Sequence, residues 1–231
     1  MAKIVSMFMM FLTILALPYY LKRAKRLDRE GNKEAIHQEL KRYPTDYLKI
    51  RKKNTKRINV GNTVAEGPCI YLSNHQSHND IFILLDTVPE AFRFIAKKEL
   101  FESPMYGSFM KMSQSYPLDR DDPRQSLTLL KQSLNDAVEK NVSLVVFPEG
   151  TRSHKAEMSE FKLGLFSMMR KSRVPLVPVY IHESYNPKTK VYKAYFGEPI
   201  EPEEFNTLKP QEICDRVKNT ILSMQVLANE S

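Results

Sequence analysis

The sequence predicts an α/β fold: a mixed, largely parallel sheet flanked by helices, preceded by an N-terminal membrane-anchoring helical element. From residue 59 to residue 231, short apolar runs alternate with longer amphipathic stretches, which is the pattern of strand–helix units with parallel strand pairing. Residues 1–58 differ, because one long apolar run is followed by a strongly basic stretch. A chain of 231 residues, 42% of them hydrophobic, is long enough for both parts. We therefore expect a membrane-binding segment at 1–58 and an α/β domain at 59–231.

The first element is the apolar run Ile4–Leu21, in which only Ser6 and Thr13 are polar. Eighteen helical residues span about 27 Å, close to the thickness of the hydrocarbon layer, although Pro18 stands near the end of the run. A cleaved signal peptide fits less well, because the basic cluster follows the run and no small-residue cleavage site is present. We predict that the run anchors the chain in a membrane, either spanning it or half inserted; a buried core helix is the alternative.

The second element is the basic segment Lys22–Arg57, whose 14 Lys/Arg and 5 Asp/Glu give a net charge of +9, against +8 for the whole chain. It is predicted to form one or two helices, with breaks at Gly31–Asn32 and Tyr43–Thr45. Each cation near an anionic lipid surface is worth about 1 kcal/mol, so we expect this segment to lie on lipid headgroups rather than on nucleic acid. By the positive-inside tendency, the following domain is expected at the cytoplasmic face.

The α/β domain contains six predicted strands, most of them apolar runs; Ser115–Arg120 is a strand end that presents Asp119 and Arg120, and Lys190–Phe196 alternates with polar residues. They are Cys69–Leu72, Phe92–Ala96, Ser115–Arg120, Val142–Phe147, Val174–Ile181 and Lys190–Phe196. Two prolines in Val174–Ile181 predict that this strand is partly unpaired or lies at an edge.

Helices are predicted between these strands from apolar residues at helical spacing and from capping residues. The first begins at Ile81, and the second is a short helix, flanked by Pro104 and Gly107, that ends around Met112. The others cover Arg124–Lys140, Phe161–Lys171 and Pro210–Leu227. The residues expected on the buried face of helix Arg124–Lys140 are Leu127, Leu130, Leu134 and Val138. Those expected on the buried face of helix Pro210–Leu227 are Ile213, Val217, Ile221, Met224 and Leu227.

The most informative polar stretch is Ser73–Asp80, which lies where a buried strand gives way to a helix, a common place for sites in α/β sheets. His75 and Asp80 have four residues between them, a spacing that lets the carboxylate meet the imidazole across the turn. A carboxylate on one ring nitrogen fixes the tautomer, and the other nitrogen then takes a proton as a general base. His78 is a second candidate base, and a cap or surface hydrogen bond is the plainer explanation of the pair.

A second polar stretch, Pro148–Ser153, follows the apolar strand Val142–Phe147. It supplies a flexible backbone at Gly150, the hydroxyl of Thr151 and the guanidinium of Arg152, which are the groups that phosphate oxygens need. A turn with a surface ion pair between Arg and Glu is the alternative.

Several function classes are excluded. The chain has only seven glycines and no glycine-rich dinucleotide or P-loop motif. Cys69 and Cys214 are far apart and fit no metal-ligand spacing, so we expect buried apolar thiols, no metal and no cofactor. No Gly-x-Ser-x-Gly nucleophile elbow exists, which argues against a serine hydrolase.

Together, Asn74–Asp80 and Phe147–Ser153 resemble two motifs of the lysophosphatidic acid acyltransferase family, within the glycerolipid acyltransferases. The first family motif is His, four residues and Asp, and the third matches Phe147–Ser153 without a mismatch. The second is matched by Lys97 and Leu118–Arg120, with Ser115 where a glycine is common, and the fourth matches the proline-bearing strand from Val174. The resemblance covers roughly residues 60–200.

This resemblance implies a reaction. The sn-2 hydroxyl of 1-acyl-glycerol-3-phosphate, lysophosphatidic acid, attacks the thioester of acyl-CoA or acyl-carrier protein, giving phosphatidic acid without a covalent enzyme intermediate. His75 is then the general base and Asp80 orients it.

The resemblance also implies how the acceptor is bound. Arg120 and Arg152 hold its phosphate with help from Lys97, and Glu149 and Gly150 position the glycerol. Three alternatives stay open: a different lysophospholipid acceptor, a thioester or ester hydrolase in which the base activates water, and a non-catalytic membrane-binding module.

Overall fold

A computed structural model describes residues 18–27, 29, 33–103 and 107–230 of the chain. The strands are β1 (Asn54–Asn59), β2 (Ile70–Ser73), β3 (Phe92–Lys97), β4 (Tyr116–Leu118), β5 (Ser143–Val146), β6 (Leu176–Ile181) and β7 (Val191–Phe196). The helices are α1 (residues 18–27), α2 (Lys33–Ile50), α3 (Asn79–Thr87), α4 (Glu99–Glu102), α5 (Gly107–Met112), α6 (Pro123–Glu139), α7 (Leu163–Met169), α8 (Pro202–Phe205) and α9 (Pro210–Glu230).

The strands form one seven-stranded sheet in the order β1-β7-β6-β2-β5-β3-β4. The five strands β6, β2, β5, β3 and β4 are parallel, β7 is antiparallel to β6, and β1 is parallel to β7. The predicted mixed, largely parallel sheet is therefore confirmed. The carboxyl ends of the five parallel strands lie at the same edge of the sheet, called the carboxyl edge below.

Helices cover both faces of the sheet, which explains why its central strands are apolar along their whole length. Because successive side chains of a strand point to opposite faces, Tyr71 packs on one side with α1, α2, α3 and α5. Ile70 and Leu72 pack on the other side with α6, α7, α8 and α9. The two cysteines are buried free thiols, as predicted.

The N-terminal part of the structure packs on the domain. Arg23 of α1 forms an ion pair with the buried Glu39 of α2, with 2.9 Å between Nε and Oε1. Residues 4–17 of the predicted anchor and the predicted break at Gly31–Asn32 lie outside the described residues. Within the described part of the chain, no helix has the length and apolarity needed to cross a bilayer.

The predicted helix break at Tyr43–Thr45 is wrong, because α2 runs through Pro44. An internal proline costs a helix about 3 kcal/mol. Here the helix continues because its tyrosines are buried: the ring of Tyr47 stacks on Phe82 of α3 with 4.2 Å between centroids. Burial of large aromatic side chains offsets the local cost of the proline.

The strand β1 lies at the end of the sheet and pairs with β7 along its whole length, from Asn54 to Asn59. The domain boundary predicted between residues 58 and 59 thus falls inside a strand of the sheet. Asp86 of α3 accepts hydrogen bonds from Thr45 of α2, at 2.6 Å, and from Thr55 of β1.

The prolines of β6 predicted a strand that is partly unpaired or lies at an edge. The edge position is wrong, because β6 lies between β2 and β7 with all its residues buried. The carbonyl of Pro178 accepts a hydrogen bond from Gly197 just beyond β7. Because the N–H and C=O of a strand residue face the same neighbour, the missing N–H of Pro178 falls where the β7 ladder ends at Val179.

Two apolar residues predicted to be buried are exposed. Leu127 in α6 and Leu227 in α9 are 53% and 43% exposed. Ala137 of α6 and Ala228 of α9 are buried, so the buried face of each helix is shifted from the predicted one at these positions.

Candidate active site

The polar stretches identified in the sequence all follow strands that end at the carboxyl edge. Ser73–Asp80 follows β2 and Pro148–Ser153 follows the adjacent strand β5. Lys97 closes β3 and Arg120 follows β4, one and two strands farther along the sheet. Parallel pairing thus gathers residues that are far apart in the sequence along one edge, with His75 near its centre.

The imidazole of His75 and the carboxylate of Asp80 form a hydrogen-bonded pair, with 2.7 Å between Nδ1 and Oδ2. Asp80 is fully buried, and its Oδ2 also accepts the backbone N–H groups of Gln76 at 2.7 Å and Ser77 at 2.8 Å. An ionised carboxylate only accepts hydrogen bonds, so Nδ1 of His75 carries the proton. Its Nε2 is then left with a lone pair and suits general-base chemistry.

The plane of the His75 ring is set by an aromatic neighbour. Phe147, at the end of β5, stacks under the imidazole with 3.9 Å between centroids and 16° between planes. Asn74 fixes the backbone on the other side: its amide donates to the carbonyl of Ile181 at 3.0 Å and accepts the N–H of Ile181 at 2.7 Å. The imidazole of His75 is therefore held by groups at the ends of β2, β5 and β6 together.

Glu149 joins the loops after β2 and β5. Its side chain is buried, and its two oxygens accept the backbone N–H groups of His75 and Ser159, each at 2.6 Å. Burial raises the pKa of Glu149, and the two N–H donors oppose this effect. The adjacent Gly150 has φ of +73°, a conformation that residues with a side chain rarely adopt. The carboxylate therefore contacts protein backbone, and its predicted role toward the glycerol stays a prediction.

Replacing Glu149 with alanine is expected to destabilise the protein, because the N–H groups of His75 and Ser159 lose their acceptor. Each unsatisfied buried donor costs about 1–3 kcal/mol. The two lost hydrogen bonds together should therefore lower the melting temperature of a chain of this size by at least about 4 °C. Thermal unfolding followed by circular dichroism measures the change. Glu157, whose side chain is 73% exposed, is the matched control, and its alanine variant should melt like the wild type. Equal melting temperatures for both variants would contradict the conclusion that the Glu149 carboxylate stabilises these loops by its two hydrogen bonds.

Arg152 contacts the second candidate base rather than the first. Its guanidinium donates to the ring of His78, with 2.8 Å from Nη1 to Nδ1. Desolvation, and next the charge of Arg152, lower the pKa of His78. A neutral His78 accepts a hydrogen bond from the arginine, and it lacks the buried carboxylate partner that His75 has. The structure thus favours His75 as the base, while Thr151 is exposed beside this pair.

The predicted cationic residues of the neighbouring strands lie at the same edge but form local contacts. Lys97 pairs with Glu99, with 3.1 Å between Nζ and Oε1, and both side chains are nearly half exposed. Arg120 is exposed, and the adjacent Asp119 pairs with Lys98 at 2.5 Å. Direct contacts therefore unite His75, Asp80 and Glu149, and join Arg152 to His78, whereas Lys97 and Arg120 are placed only by sheet topology.

Ser184 was not among the predicted site residues; it lies in the loop after β6 and donates from its hydroxyl to Oδ1 of Asp80. Ser159, whose N–H contacts Glu149, was not among them either, and the bracing role of Asn74 was not predicted. No motif marks Ser184 or Ser159, because both reach the site through the order of the strands. Only the position of Asn74, at the end of a buried strand, gave a usable signal.

Comparison with known proteins gives concordant matches. A sequence model described as Acyltransferase matches residues 49–182. A chloroplastic 1-acyl-sn-glycerol-3-phosphate acyltransferase of Brassica napus is 41% identical over 115 residues, which are 50% of this chain and 33% of that protein. The 1-acyl-sn-glycerol-3-phosphate acyltransferase of Saccharomyces cerevisiae is 32% identical over 169 residues, 69% of this chain and 56% of that protein. The chain thus spans between a third and about half of the length of these relatives.

A solved structure shares the fold. The crystal structure of the 1-acyl-sn-glycerophosphate (LPA) acyltransferase PlsC from Thermotoga maritima superimposes with a TM-score of 0.79 at 21% identity. The match covers 99% of this chain and 96% of that one. At this identity the likeness concerns the architecture alone.

Proposed function

This chain belongs to the acyltransferase family, and from that premise we propose that it transfers a fatty acyl group to the sn-2 hydroxyl of 1-acyl-sn-glycerol-3-phosphate, giving phosphatidic acid. The donor is the thioester of acyl-CoA or acyl-carrier protein. The observation that carries the proposal is the His75–Asp80 pair, with Nδ1 held at 2.7 Å from a buried carboxylate and Nε2 left as the base. The names of the curated relatives support lysophosphatidic acid as the acceptor.

The reaction follows from this arrangement as a direct transfer. Nε2 of His75 removes the proton of the acceptor hydroxyl as its oxygen attacks the thioester carbonyl, and a C–O bond forms. The C–S bond then breaks, and the imidazolium returns the proton to the departing thiolate. Asp80 holds the ring in the Nδ1–H tautomer and stabilises the imidazolium. A general base of this kind contributes about 10²–10⁴ in rate, and positioning of the two substrates supplies much of the rest.

The state of the cysteines supports transfer without a covalent enzyme intermediate. Burial raises the pKa of Cys69 to about 12, so its thiol is almost entirely protonated at neutral pH. Burial also raises the pKa of Cys214. Neither thiol has the low pKa of an activated nucleophile, which argues against an acyl-cysteine intermediate.

We assign the acceptor phosphate to the cationic groups of the carboxyl edge. Arg152 and Arg120 provide guanidinium forks and Lys97 a third positive charge. The hydroxyl of Thr151 and the backbone at Gly150 are available to the remaining phosphate oxygens.

The test uses purified protein and pairs of substrates. Lysophosphatidic acid, lysophosphatidylcholine and lysophosphatidylethanolamine are each offered with acyl-CoA and with acyl-carrier protein, and lipid products are separated by mass. Phosphatidic acid as the main product supports the proposal. A preference for another lysophospholipid would change the acceptor, release of free fatty acid without transfer would indicate a hydrolase, and no turnover would indicate a binding module.

We also propose that residues 1–58 hold the enzyme on the cytoplasmic leaflet, with the apolar run in the acyl layer and the basic segment on anionic headgroups. The net charge of +9 at Lys22–Arg57 supports this arrangement, as does the need to reach an acceptor that resides in the bilayer.

Deleting residues 1–21 is expected to release the protein from anionic vesicles only partly at low salt and completely at high salt, because the remaining attachment is electrostatic and salt screens it. Vesicle sedimentation at two ionic strengths measures the bound fraction. Vesicles of neutral lipid are the control, and they should fail to bind the deletion variant. Salt-resistant binding of that variant would contradict the electrostatic component. An N-terminal tag found only on the outer side of the membrane would reject the half-inserted arrangement.

A further inference from the structure

We infer that Ser184 is a positioning residue for the proposed base: its hydroxyl holds the Asp80 carboxylate in the orientation that keeps the proton of His75 on Nδ1. This inference rests on the proposed function and extends it by one residue. Ser184 is 1% exposed and lies 104 residues from Asp80 in the sequence. Its Oγ donates to Oδ1 of Asp80, the oxygen opposite the one that contacts His75.

The two oxygens of Asp80 are supplied with donors very unequally. Oδ2 accepts from Nδ1 of His75 and from the N–H groups of Gln76 and Ser77. Among the described residues, the hydrogen bond from Ser184 is the only one that Oδ1 accepts. Rotation of the carboxylate about its Cβ–Cγ bond is therefore opposed at one end by the loop after β2 and at the other by this serine.

The Ser184 hydroxyl has one proton and two acceptors within reach. Oε1 of Gln76 lies 3.3 Å from Oγ, farther than Oδ1 of Asp80. Gln76 is already engaged by the backbone N–H of Ser184 at 3.1 Å. A hydrogen bond to a charged acceptor is roughly twice as strong as one to a neutral amide, so the hydroxyl proton belongs to Asp80.

The loop that carries Ser184 is built to present it. Glu183 has φ of +48°, a left-handed conformation that a residue with a side chain adopts at a cost of about 1–2 kcal/mol. The Glu183 carboxylate accepts the hydroxyl of Thr189 at 3.1 Å, and its carbonyl accepts the N–H of Asn186 at 3.0 Å, which stabilises the turn. The carbonyl of Ser184 accepts the side chain of Asn79 at 3.3 Å. The strained turn thus directs the hydroxyl inward, onto the pair of His75 and Asp80, called the dyad below.

The test compares Ser184→Ala, Ser184→Thr and the wild type. Loss of a hydrogen bond to a charged group corresponds to about a 10- to 100-fold effect, so we expect Ser184→Ala to lower kcat by at least 10-fold. The KM values for both substrates should stay within twofold, because the serine contacts the carboxylate and not the substrates. Ser184→Thr keeps the hydroxyl and should restore kcat to within about threefold of the wild type. An unchanged kcat in Ser184→Ala overturns the inference.

Ser172 provides a matched control for the loss of a buried hydroxyl. It is also 1% exposed, and its Oγ contacts the backbone of Val174, at the amino end of β6 and away from the dyad. Ser172→Ala should lower the melting temperature as much as Ser184→Ala does and leave kcat unchanged. If both variants lower kcat equally, the role of Ser184 is structural only.

A double-mutant cycle with Asp80→Ala separates positioning from stability. If Ser184 acts through Asp80, adding Ser184→Ala to Asp80→Ala should lower kcat by less than twofold, whereas independent effects would multiply. A full 10-fold further loss in the Asp80→Ala background overturns the inference.

A measurement on the free enzyme distinguishes the test of Ser184 from the test of the proposed reaction. The nitrogen chemical shifts of isotopically labelled His75 report its tautomer: we expect the Nδ1–H form in the wild type and in Ser184→Thr, and a larger Nε2–H fraction in Ser184→Ala. If the wild type forms no phosphatidic acid, the proposed reaction fails, and the tautomer still tests the serine. If the wild type forms phosphatidic acid and the tautomer is the same in all three proteins, the inference about Ser184 alone fails.

Discussion

Replacing His75 with alanine is expected to remove nearly all acyl transfer while leaving the fold intact. The substitution deletes Nε2, the atom that takes the proton of the acceptor hydroxyl, and a general base contributes about 10²–10⁴ in rate. The cost in stability should be small by comparison, because Asp80 keeps the two backbone donors and Ser184. His75→Asn is a useful second variant, since its amide can still donate to Asp80 from the place of Nδ1. Initial rates of phosphatidic acid formation, with circular dichroism of each variant, measure both effects.

Two further substitutions serve as controls for this assignment. Asp80→Ala should cost less than His75→Ala, because it removes the orienting carboxylate and leaves the base. His78→Ala should keep substantial activity, because both ring nitrogens of His78 contact Arg152 and, among the described residues, neither contacts a carboxylate. Loss of activity in His78→Ala together with substantial activity in His75→Ala would reverse the assignment of the base.

The core of the candidate site could be predicted from the sequence because its geometry is local. His75 and Asp80 are five residues apart, so a strand–helix turn brings them together whatever the order of the strands. The contacts of Glu149 are different. Its carboxylate accepts the N–H of His75 only because β5 lies beside β2, and hydrophobic patterns do not specify strand order. Ser184 depends in the same way on β6 lying on the other side of β2.

The incorrect structural predictions share one physical cause, which is that tertiary packing overrode a local preference. Pro44 lies within α2 because the tyrosines around it are buried against α3. For the strand with Pro178, the predicted edge position is wrong, since the strand packs between β2 and β7, whereas its missing N–H does fall where the pairing with β7 ends. Leu127 and Leu227 have the spacing of a buried face, yet both are exposed, whereas Ala137 and Ala228 on the same helices are buried. Proline positions and apolar spacing therefore predict where helices and strands occur better than they predict which neighbours these elements pack against.

Replacing Arg152 with alanine is expected to raise the KM for lysophosphatidic acid by about 10- to 100-fold, with a smaller effect on the KM for the acyl donor. A charge-assisted hydrogen bond is worth about 1.5–3 kcal/mol, and the guanidinium contacts His78, in the loop after β2 that also carries His75. A neutral His78 leaves the positive charge of Arg152 uncompensated and so available to a phosphate. Arg120→Ala should act in the same direction, because the end of β4 opens on the same edge of the sheet.

Two control variants are needed for these arginines: one that keeps the positive charge but changes the side-chain geometry, and one that removes an arginine from a different part of the surface. Arg152→Lys keeps the charge and loses the planar fork, so its KM for the acceptor should fall between those of the wild type and Arg152→Ala. Arg173, exposed before the amino end of β6 and therefore at the opposite edge, is the matched surface control. Its alanine variant should leave both KM values unchanged. If Arg152→Ala and Arg120→Ala both keep the wild-type KM for the acceptor, the phosphate is bound elsewhere. An equal rise of both KM values would instead place these arginines where the two substrates meet.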